Sequence, residues 1–282
     1  MGSLNITDKQ AKYFGLKSSS QLSPMMEKNA LLMSANESYQ KAEEDLEQLS
    51  GIKISHSTLQ RLVNRQEFEL PTSKQGVQEI TLDGPKVRLR NETKGEPCSW
   101  KDYKAVCLDN TYGGAFFQNN QDLIDWVNHQ KLLYPMYCIG DGHAGIWNLF
   151  QEIGEAEQRQ EILDWYHLKE NLYKVGGSLK RLKLAENLLW SGKIDEVIDL
   201  FKDLKRKGFK TFCHYLETHR CRIVNYLDYQ VNSISSLGSG TVESLIKQIG
   251  SRVKLSGSQW NIKSVSSILS LRCAYLNGQL SS

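Results

Sequence analysis

Several common signals are missing from this 282-residue sequence. Its six cysteines form no Cys-x-x-Cys pair, which argues against both a disulfide framework and a standard zinc finger. No apolar run reaches the roughly 20 residues of a membrane-spanning helix, and the N-terminus lacks the apolar segment of a signal peptide. We therefore expect a cytoplasmic protein with reduced thiols that does not enter a membrane.

A strong excess of charge of either sign is also missing. The chain carries 35 Lys and Arg against 32 Asp and Glu, so its net charge is +3 and its pI is near 8.4. Such a small basic excess indicates nucleic acid binding only weakly. With 40% hydrophobic and 24% charged residues, the composition is that of a globular protein long enough to bury its own core.

The N-terminal region has helical periodicity after a polar, Ser-rich leader over residues 1–25. The expected helices are Glu27–Met33, Ser38–Leu49 and Ser55–Asn64. Gly51 lies in the short connection between the last two. A helix, a Gly-containing turn and a short helix form the outline of a helix-turn-helix, here within residues 26–70.

The third of these helices is the one that would enter the major groove of DNA. The residues expected to contact bases or phosphates are His56, Ser57, Thr58 and Arg61. The alternative is a helical hairpin that only packs on the next domain, because helix-turn-helix outlines also occur by chance.

Residues 77–177 predict a mixed α/β core. Strand-like segments come first, and strands then alternate with amphipathic helices. The first strand segments are VQEITLD, KVRLR, YKAVCLDN and GGAFFQ. Residues 178–236 are helical by periodicity, and residues 237–282 contain two closing helices. This order predicts a ribonuclease-H-like mixed sheet with flanking helices and an all-helical insertion before the closing helices.

Three acidic residues stand where such a core would bring them together. Asp83 ends the first strand, Asp141 follows an apolar strand, and Glu243 lies in the first turn of a helix. Carboxylates of this kind hold the two Mg²⁺ or Mn²⁺ ions, about 3.5–4 Å apart, that cleave and join phosphodiesters. Each acid also has an ordinary explanation, because Asp-Gly forms turns and Glu is favoured at helix starts.

The most distinctive sequence pattern lies near the C-terminus. A Gly-Ser-Gly-x-x-Glu block is followed by basic residues, by Ser-Gly-x-x-Trp, and by a helix with Leu-Arg that ends in Asn-Gly. These residues are Gly238, Ser239, Gly240, Glu243, Arg252, Lys254, Ser256, Gly257, Trp260, Leu271, Arg272, Asn277 and Gly278. The pattern resembles the C-terminal signature of the Kra-type insertion-sequence transposases of bacteria. DGPKVRLR and IGDGHAGIWNLF resemble the two Asp blocks of that family.

The resemblance spans about residues 20–280. It implies a DDE-type DNA transposase whose catalytic and metal-binding residues are Asp83, Asp141 and Glu243. Mutator-like relatives carry an Asp-x-x-His motif, which Asp164 and His167 match. That match implies a place for Trp165 and His167 beside the active site or near the transposon end. The other residues expected to contact DNA are Arg252, Lys254 and Trp260.

The implied partners are the terminal inverted repeats of the transposon and its target DNA. We expect a homodimer or larger oligomer, associated with the nucleoid. Family members commonly carry a Cys-rich segment before the helix-turn-helix, which this sequence lacks, so we expect a truncated or frameshifted copy. Two alternatives stay open: a catalytically inactive DNA-binding remnant, and a ribonuclease-H-like nuclease that performs no strand transfer.

Overall fold

In the computed structural model, the chain folds around a five-stranded mixed sheet with helices packed against it. The structure describes residues 6–13, 22–91, 93, 95–203, 207–237 and 240–280. The strands are β1 (Val77–Asp83), β2 (Lys86–Leu89), β3 (Ser99–Asp102), β4 (Lys104–Leu108), β5 (Tyr112–Phe116), β6 (Leu132–Gly140) and β7 (Arg159–Leu163).

The order of strands in the sheet is β5-β4-β1-β6-β7, so β1 lies at its centre. β4 pairs antiparallel with β1 and β5, whereas β6 pairs parallel with β1 and β7. The three parallel strands therefore have their carboxyl ends at the same edge of the sheet. β2 and β3 form a separate antiparallel hairpin.

Helices make up the rest of the regular structure. They are α1 (Asp8–Tyr13), α2 (Pro24–Asn36), α3 (Tyr39–Ser50), α4 (His56–Asn64), α5 (Asn120–Asn128), α6 (Ala144–Gln151), α7 (Trp165–Lys174), α8 (Leu179–Trp190), α9 (Ile194–Phe201), α10 (Lys207–Thr218), α11 (Tyr226–Val231), α12 (Gly240–Val253) and α13 (Ile262–Leu276). Ser23, Ser38 and Ser55 precede α2, α3 and α4, and each side chain accepts a hydrogen bond from a first-turn N–H. These caps fix where the three helices begin, because the first N–H groups of a helix have no partner within it.

The two faces of the sheet pack against different groups of helices. Ile80 and Leu82 of β1 belong to a buried core that includes residues of α5 to α11. Side chains alternate along a strand, so Thr81 and Asp83 point to the other face. There Ala105 and Cys107, which pair with Asp83 and Thr81, pack into a second core with α2, α4, α12 and α13.

Two buried arginines attach the C-terminal helices to the end of α2. Arg252 is 1% exposed and donates from Nε to the Ser34 carbonyl at 2.6 Å. Arg272 is 6% exposed and donates to the Ala35 carbonyl at 3.1 Å and to the Gln248 carbonyl at 2.9 Å. The last carbonyls of a helix lack partners within it and carry partial negative charge. The guanidinium groups satisfy them.

The helical predictions are confirmed for α2 to α4, for the region from α8 to α11, and for α12 and α13. The sequence predicts a turn-rich connection over residues 91–100, but Ser99–Asp102 forms β3. KVRLR forms β2 as expected, yet it pairs with β3 and stays outside the main sheet. The reason is that strand periodicity does not specify which strand is the partner.

Parts of two other predictions lie outside the described residues. Of the predicted leader, residues 6–13 and 22–25 are described, and α1 lies within it. Gly238 and Ser239 of the C-terminal signature are also outside the described residues. Among the helices that are described, none has the length and apolar character to cross a bilayer.

We predict that Arg272→Ala lowers the free energy of unfolding by about 2–4 kcal/mol. The substitution leaves the buried Ala35 carbonyl without its guanidinium donor and removes the bond to the Gln248 carbonyl, and an unsatisfied buried acceptor costs about 1–3 kcal/mol. Urea unfolding followed by circular dichroism measures this. Lys263→Ala, at an exposed position on the same helix, is the control. Equal stability of the two variants would contradict the role given to Arg272.

Candidate active site at the carboxyl edge of the sheet

Three aspartates stand at the carboxyl ends of the three parallel strands. Asp83 is the last residue of β1, Asp141 follows β6 directly, and Asp164 follows β7 directly. Leu82 is in register with Gly140, so the next residues, Asp83 and Asp141, lie side by side. The Asp164 N–H donates to the Gly140 carbonyl at 2.9 Å, which holds the third acid at the same edge.

The Asp83 carboxylate is crowded by like charges. Burial raises the pKa of Asp83, and the negative charges of Asp141 and Asp164 raise it further. The Gly84 N–H, 2.6 Å from Oδ1, and the nearby His167 act in the opposite direction. A carboxylate in this setting favours protonation, or a cation that compensates its charge.

Local backbone geometry fixes Asp141. Its Oδ1 accepts a hydrogen bond from the His143 N–H at 2.8 Å. The His143 side chain caps α6 by accepting a hydrogen bond from the Gly145 N–H. Gly142 has φ +91° and needs to be glycine, because a Cβ there would lie 2.8 Å from the Tyr215 hydroxyl.

Asp164 and His167 connect α7 to this edge. Asp164 is fully buried, and its Oδ1 accepts from the His167 N–H at 2.9 Å as the N-cap of the helix. The His167 ring is 30% exposed and lies near enough to Asp83 to lower the pKa of that carboxyl. The Asp-x-x-His spacing thus places one buried acid and one half-buried imidazole beside Asp83. Asp164 could have been found from its sequence, since it directly follows a short strand that ends in Ile-Leu, much as Asp141 follows β6.

Glu243 lies on a helix that packs over the face of the sheet that carries Asp83. α12 contacts β4 and β1. The chain just before it is held by Glu79 of β1, which accepts hydrogen bonds from the Ser236 N–H at 2.6 Å and from the Ser236 hydroxyl. Glu243 itself is half-buried, 3.6 Å from Lys247. Within the described part of the chain, no three His, Cys, Asp or Glu side chains form a group that could hold a metal ion.

The residues that do come together suit a magnesium ion. Asp83 and Asp141 each use one oxygen for a backbone N–H, and among the described residues no hydrogen bond is formed by the second oxygen of either. Mg²⁺ prefers oxygen ligands, keeps several waters, and is commonly bound by one or two carboxylates together with substrate phosphates. The structure therefore provides two of the three predicted ligands side by side, and Glu243 is not grouped with them.

The helical region between β7 and α12 supplies two further groups that the sequence did not indicate. Tyr215 of α10 packs on Gly142, and burial together with the charges of Asp141 and Asp164 raises the pKa of Tyr215. His219 is 4% exposed, with its ring against those of Tyr215 and Trp147. Burial and the neighbouring Arg222 lower the pKa of His219. These contacts fix the loop that carries Asp141.

The predicted DNA-contact residues of α4 lie together at the start of that helix. His56, Ser57 and Arg61 are exposed, and Thr58 is half-buried. The His56 ring is 2.8 Å from the Glu43 carboxylate of α3, a contact that joins the two helices. This surface is accessible to a partner, and DNA binding by it stays a prediction.

Three other predicted DNA contacts do not fit the structure. Arg252 is buried between the rings of Tyr39 and Trp260, with its guanidinium carbon about 5 Å from each ring centroid (5.1 and 5.0 Å). Trp260 is 7% exposed and donates from Nε1 to the Val253 carbonyl at 2.8 Å. Both side chains are therefore part of the core in this conformation. Lys254, between them in sequence, is exposed.

Trp165 is the third of these. It is 9% exposed, and its ring lies 4.6 Å from that of Trp190 and 5.0 Å from that of Tyr226. Stacking on a base would require displacement of these neighbours. Its neighbour Tyr166 is 56% exposed.

Comparison with known proteins assigns no family to this chain: no protein-family model matches it, and no curated protein is significantly similar to it.

We predict that Asp83→Asn stabilises the protein at pH 7 by about 0.5–2 kcal/mol. A carboxyl whose folded pKa is raised contributes stability below its unfolded pKa and loses it as the pH rises through the folded pKa. At pH 7 the charged Asp83 therefore destabilises the fold, and the amide removes this effect. The gain should shrink as the pH falls toward the ordinary aspartate pKa of about 3.9.

Urea unfolding of wild type and variant across this pH range measures the effect. Asp203→Asn, at an exposed site, is the matched control and should change stability little at any pH. A variant less stable than wild type at pH 7 would contradict the crowding of charges at this edge.

Proposed function

We propose that this protein is a metal-dependent DNA transposase with a ribonuclease-H-like core. The observation that carries the proposal is the set of aspartates at the ends of adjacent parallel strands, with Asp83 and Asp141 side by side. Phosphodiester cleavage and joining by metal ions needs little more from a protein than carboxylates held in such positions.

The sheet supports the ribonuclease-H-like assignment. If the β2–β3 hairpin is set aside, the strands of the main sheet have the order 3-2-1-4-5 along the chain, with an antiparallel half and a parallel half. The sequence predicts a mixed sheet in which strands come first along the chain and then alternate with helices, and the main sheet has this arrangement. The first acid lies on the central strand and the second on its parallel neighbour.

The resemblance of the C-terminal text to Kra-type transposases narrows the reaction from hydrolysis to strand transfer. In this proposal Asp83, Asp141 and Glu243 hold Mg²⁺ or Mn²⁺. The bound ions would lower the pKa of an attacking water and neutralise charge on the phosphate. His167, close to Asp83 and partly exposed, is placed to hold a phosphate oxygen or a water.

The partners in this proposal are the transposon ends and target DNA. Recognition of the ends is assigned to the surface of His56, Ser57 and Arg61 on α4. The 3′-hydroxyl released at one end then attacks a phosphodiester of the target, so one P–O bond forms as another breaks. Two ends must be brought together, which requires at least a dimer.

The test uses the full chain and linear DNA that carries the sequences flanking its own gene, with MgCl₂ or MnCl₂. We expect nicks and joined products on denaturing gels, and none with EDTA. Asp83→Asn, Asp141→Asn and Glu243→Gln should each lower the rate by at least about 10²–10³-fold, with DNA binding nearly unchanged. Asp203→Asn should cleave like wild type.

The possible outcomes separate the alternatives. Nicking without joined products would indicate a nuclease and refute strand transfer. DNA binding without any cleavage would indicate a catalytically inactive remnant. Full strand transfer by the Asp83→Asn protein would refute the site itself.

A further inference from the structure

The β2–β3 hairpin begins at the candidate active site. Only Gly84 and Pro85 separate Asp83 from Lys86, the first residue of β2. At the other end, the Tyr103 N–H donates to the Pro85 carbonyl at 2.8 Å, which closes the base of the hairpin. The Lys104 ammonium also lies here, 3.1 Å from where a Cβ on Gly84 would be.

The hairpin is held firmly against the rest of the protein. Val87, Leu89 and Tyr103 are at most 4% exposed and belong to the core shared with α12 and α13. Along the edge of β2 that is not paired with β3, the Trp260 N–H donates to the Arg88 carbonyl at 3.0 Å, and the Arg90 N–H donates to the Trp260 carbonyl at 2.9 Å. The position of its outward side chains is therefore fixed relative to Asp83.

The outward face of the hairpin is basic. Because Val87 and Leu89 point inward, Lys86, Arg88 and Arg90 point outward. On this face the three cations are accompanied by Asp102, which is opposite Lys86 in the hairpin register, so these four side chains carry a net charge of +2. Among the described residues of the hairpin, Lys86 and Asp102 form one ion pair at 3.9 Å, which is exposed on both sides and neutralises little.

An exposed tryptophan stands among these cations. Trp100 of β3 is directly opposite Arg88 in the hairpin register. Its side chain is 54% exposed, whereas the other five tryptophans are buried or half-buried. A scattered exposed aromatic needs no explanation, but a tryptophan on a fixed basic face next to an acidic site is the combination with which proteins bind nucleic acid strands.

We propose that the outward face of the β2–β3 hairpin binds the DNA duplex beside the scissile phosphate. In this proposal Arg88 and Arg90 contact backbone phosphates, and Trp100 stacks on a base left unpaired at the cut end. Lys86 to Arg90 spans about 13 Å, which is the rise of about four base pairs. The inference rests on the proposed function, because that function places the cleaved DNA at Asp83.

The experiment measures binding of the full chain to two fluorescein-labelled DNAs of arbitrary sequence by anisotropy over a range of KCl concentrations. One is a blunt duplex of about 30 base pairs, and the other adds a four-nucleotide 3′ overhang. The double variant Arg88→Ala/Arg90→Ala should weaken binding to both and reduce the slope of log K against log [KCl] by up to about 2. Trp100→Ala should weaken binding to the overhang DNA by about 5- to 150-fold, since one stacked base contributes about 1–3 kcal/mol, and leave the blunt duplex nearly unchanged.

Matched controls lie at the opposite edge of the sheet. Lys131→Ala and Tyr134→Ala remove an exposed cation and an exposed aromatic near the start of β6, and both should bind like wild type. Thermal unfolding checks that the hairpin variants fold, and Arg88→Lys and Trp100→Phe, which keep charge and ring, should retain most of the binding.

The proposals for the hairpin and for the active site can be refuted separately. Hairpin variants that bind both DNAs like the controls, or a wild type that binds neither, would overturn this inference. That result is also the one expected if the hairpin contacts an acidic protein surface. Loss of binding by the hairpin variants supports DNA binding by this face even if Asp83→Asn cleaves DNA normally, and that cleavage result would overturn the proposed function together with the position of the hairpin beside the scissile phosphate.

Discussion

Parallel pairing of β1, β6 and β7 is the constraint on which the candidate site depends. Strands that run in the same direction end at the same edge, so the acids that end or follow them meet there whatever the rest of the chain does. Asp83, Asp141 and Asp164 are thereby held together although burial and the repulsion between their charges oppose it, and both effects raise the pKa of Asp83. An arrangement that opposes stability and is enforced by the central strand of the sheet is typical of a functional site.

A second important feature is the buried junction at which the C-terminal helices α12 and α13 meet α2 and the edge of the sheet. Arg252 and Arg272 hold the last carbonyls of α2, and Asn277 forms two hydrogen bonds with the backbone of Gly113 in the edge strand β5, at 3.0 and 2.9 Å. These residues belong to the C-terminal text on which the resemblance to Kra-type transposases is based. These three residues of the signature therefore have a structural role, because they fasten α12 and α13 to α2 and to the sheet. Glu243, on the same helix as Arg252, takes its position from this packing.

Much of the fold could be predicted from the sequence because its signals are local. Alternation in VQEITLD and helical periodicity around Leu46, Leu59 and Ile268 depend only on which face of an element is buried. The positions of Asp83 and Asp141 could be predicted in the same way, because each stands at the end of a predicted strand. What the sequence could not supply is partner choice. It did not place β2 in a separate hairpin, and it did not show that Arg252 and Trp260 face inward, since a buried arginine and an exposed one look alike until the carbonyl that it binds is known.

The proposed active site requires that a divalent cation binds at the carboxyl edge of the sheet. Titration of the protein with Mn²⁺, followed by the electron paramagnetic resonance signal of the free ion, tests this without DNA and without knowledge of the recognised sequence. We expect saturable binding by the wild-type protein that is strongly weakened by Asp141→Asn and unchanged by Asp203→Asn. Binding of equal strength in wild type and Asp141→Asn, or no binding at all, would contradict the account.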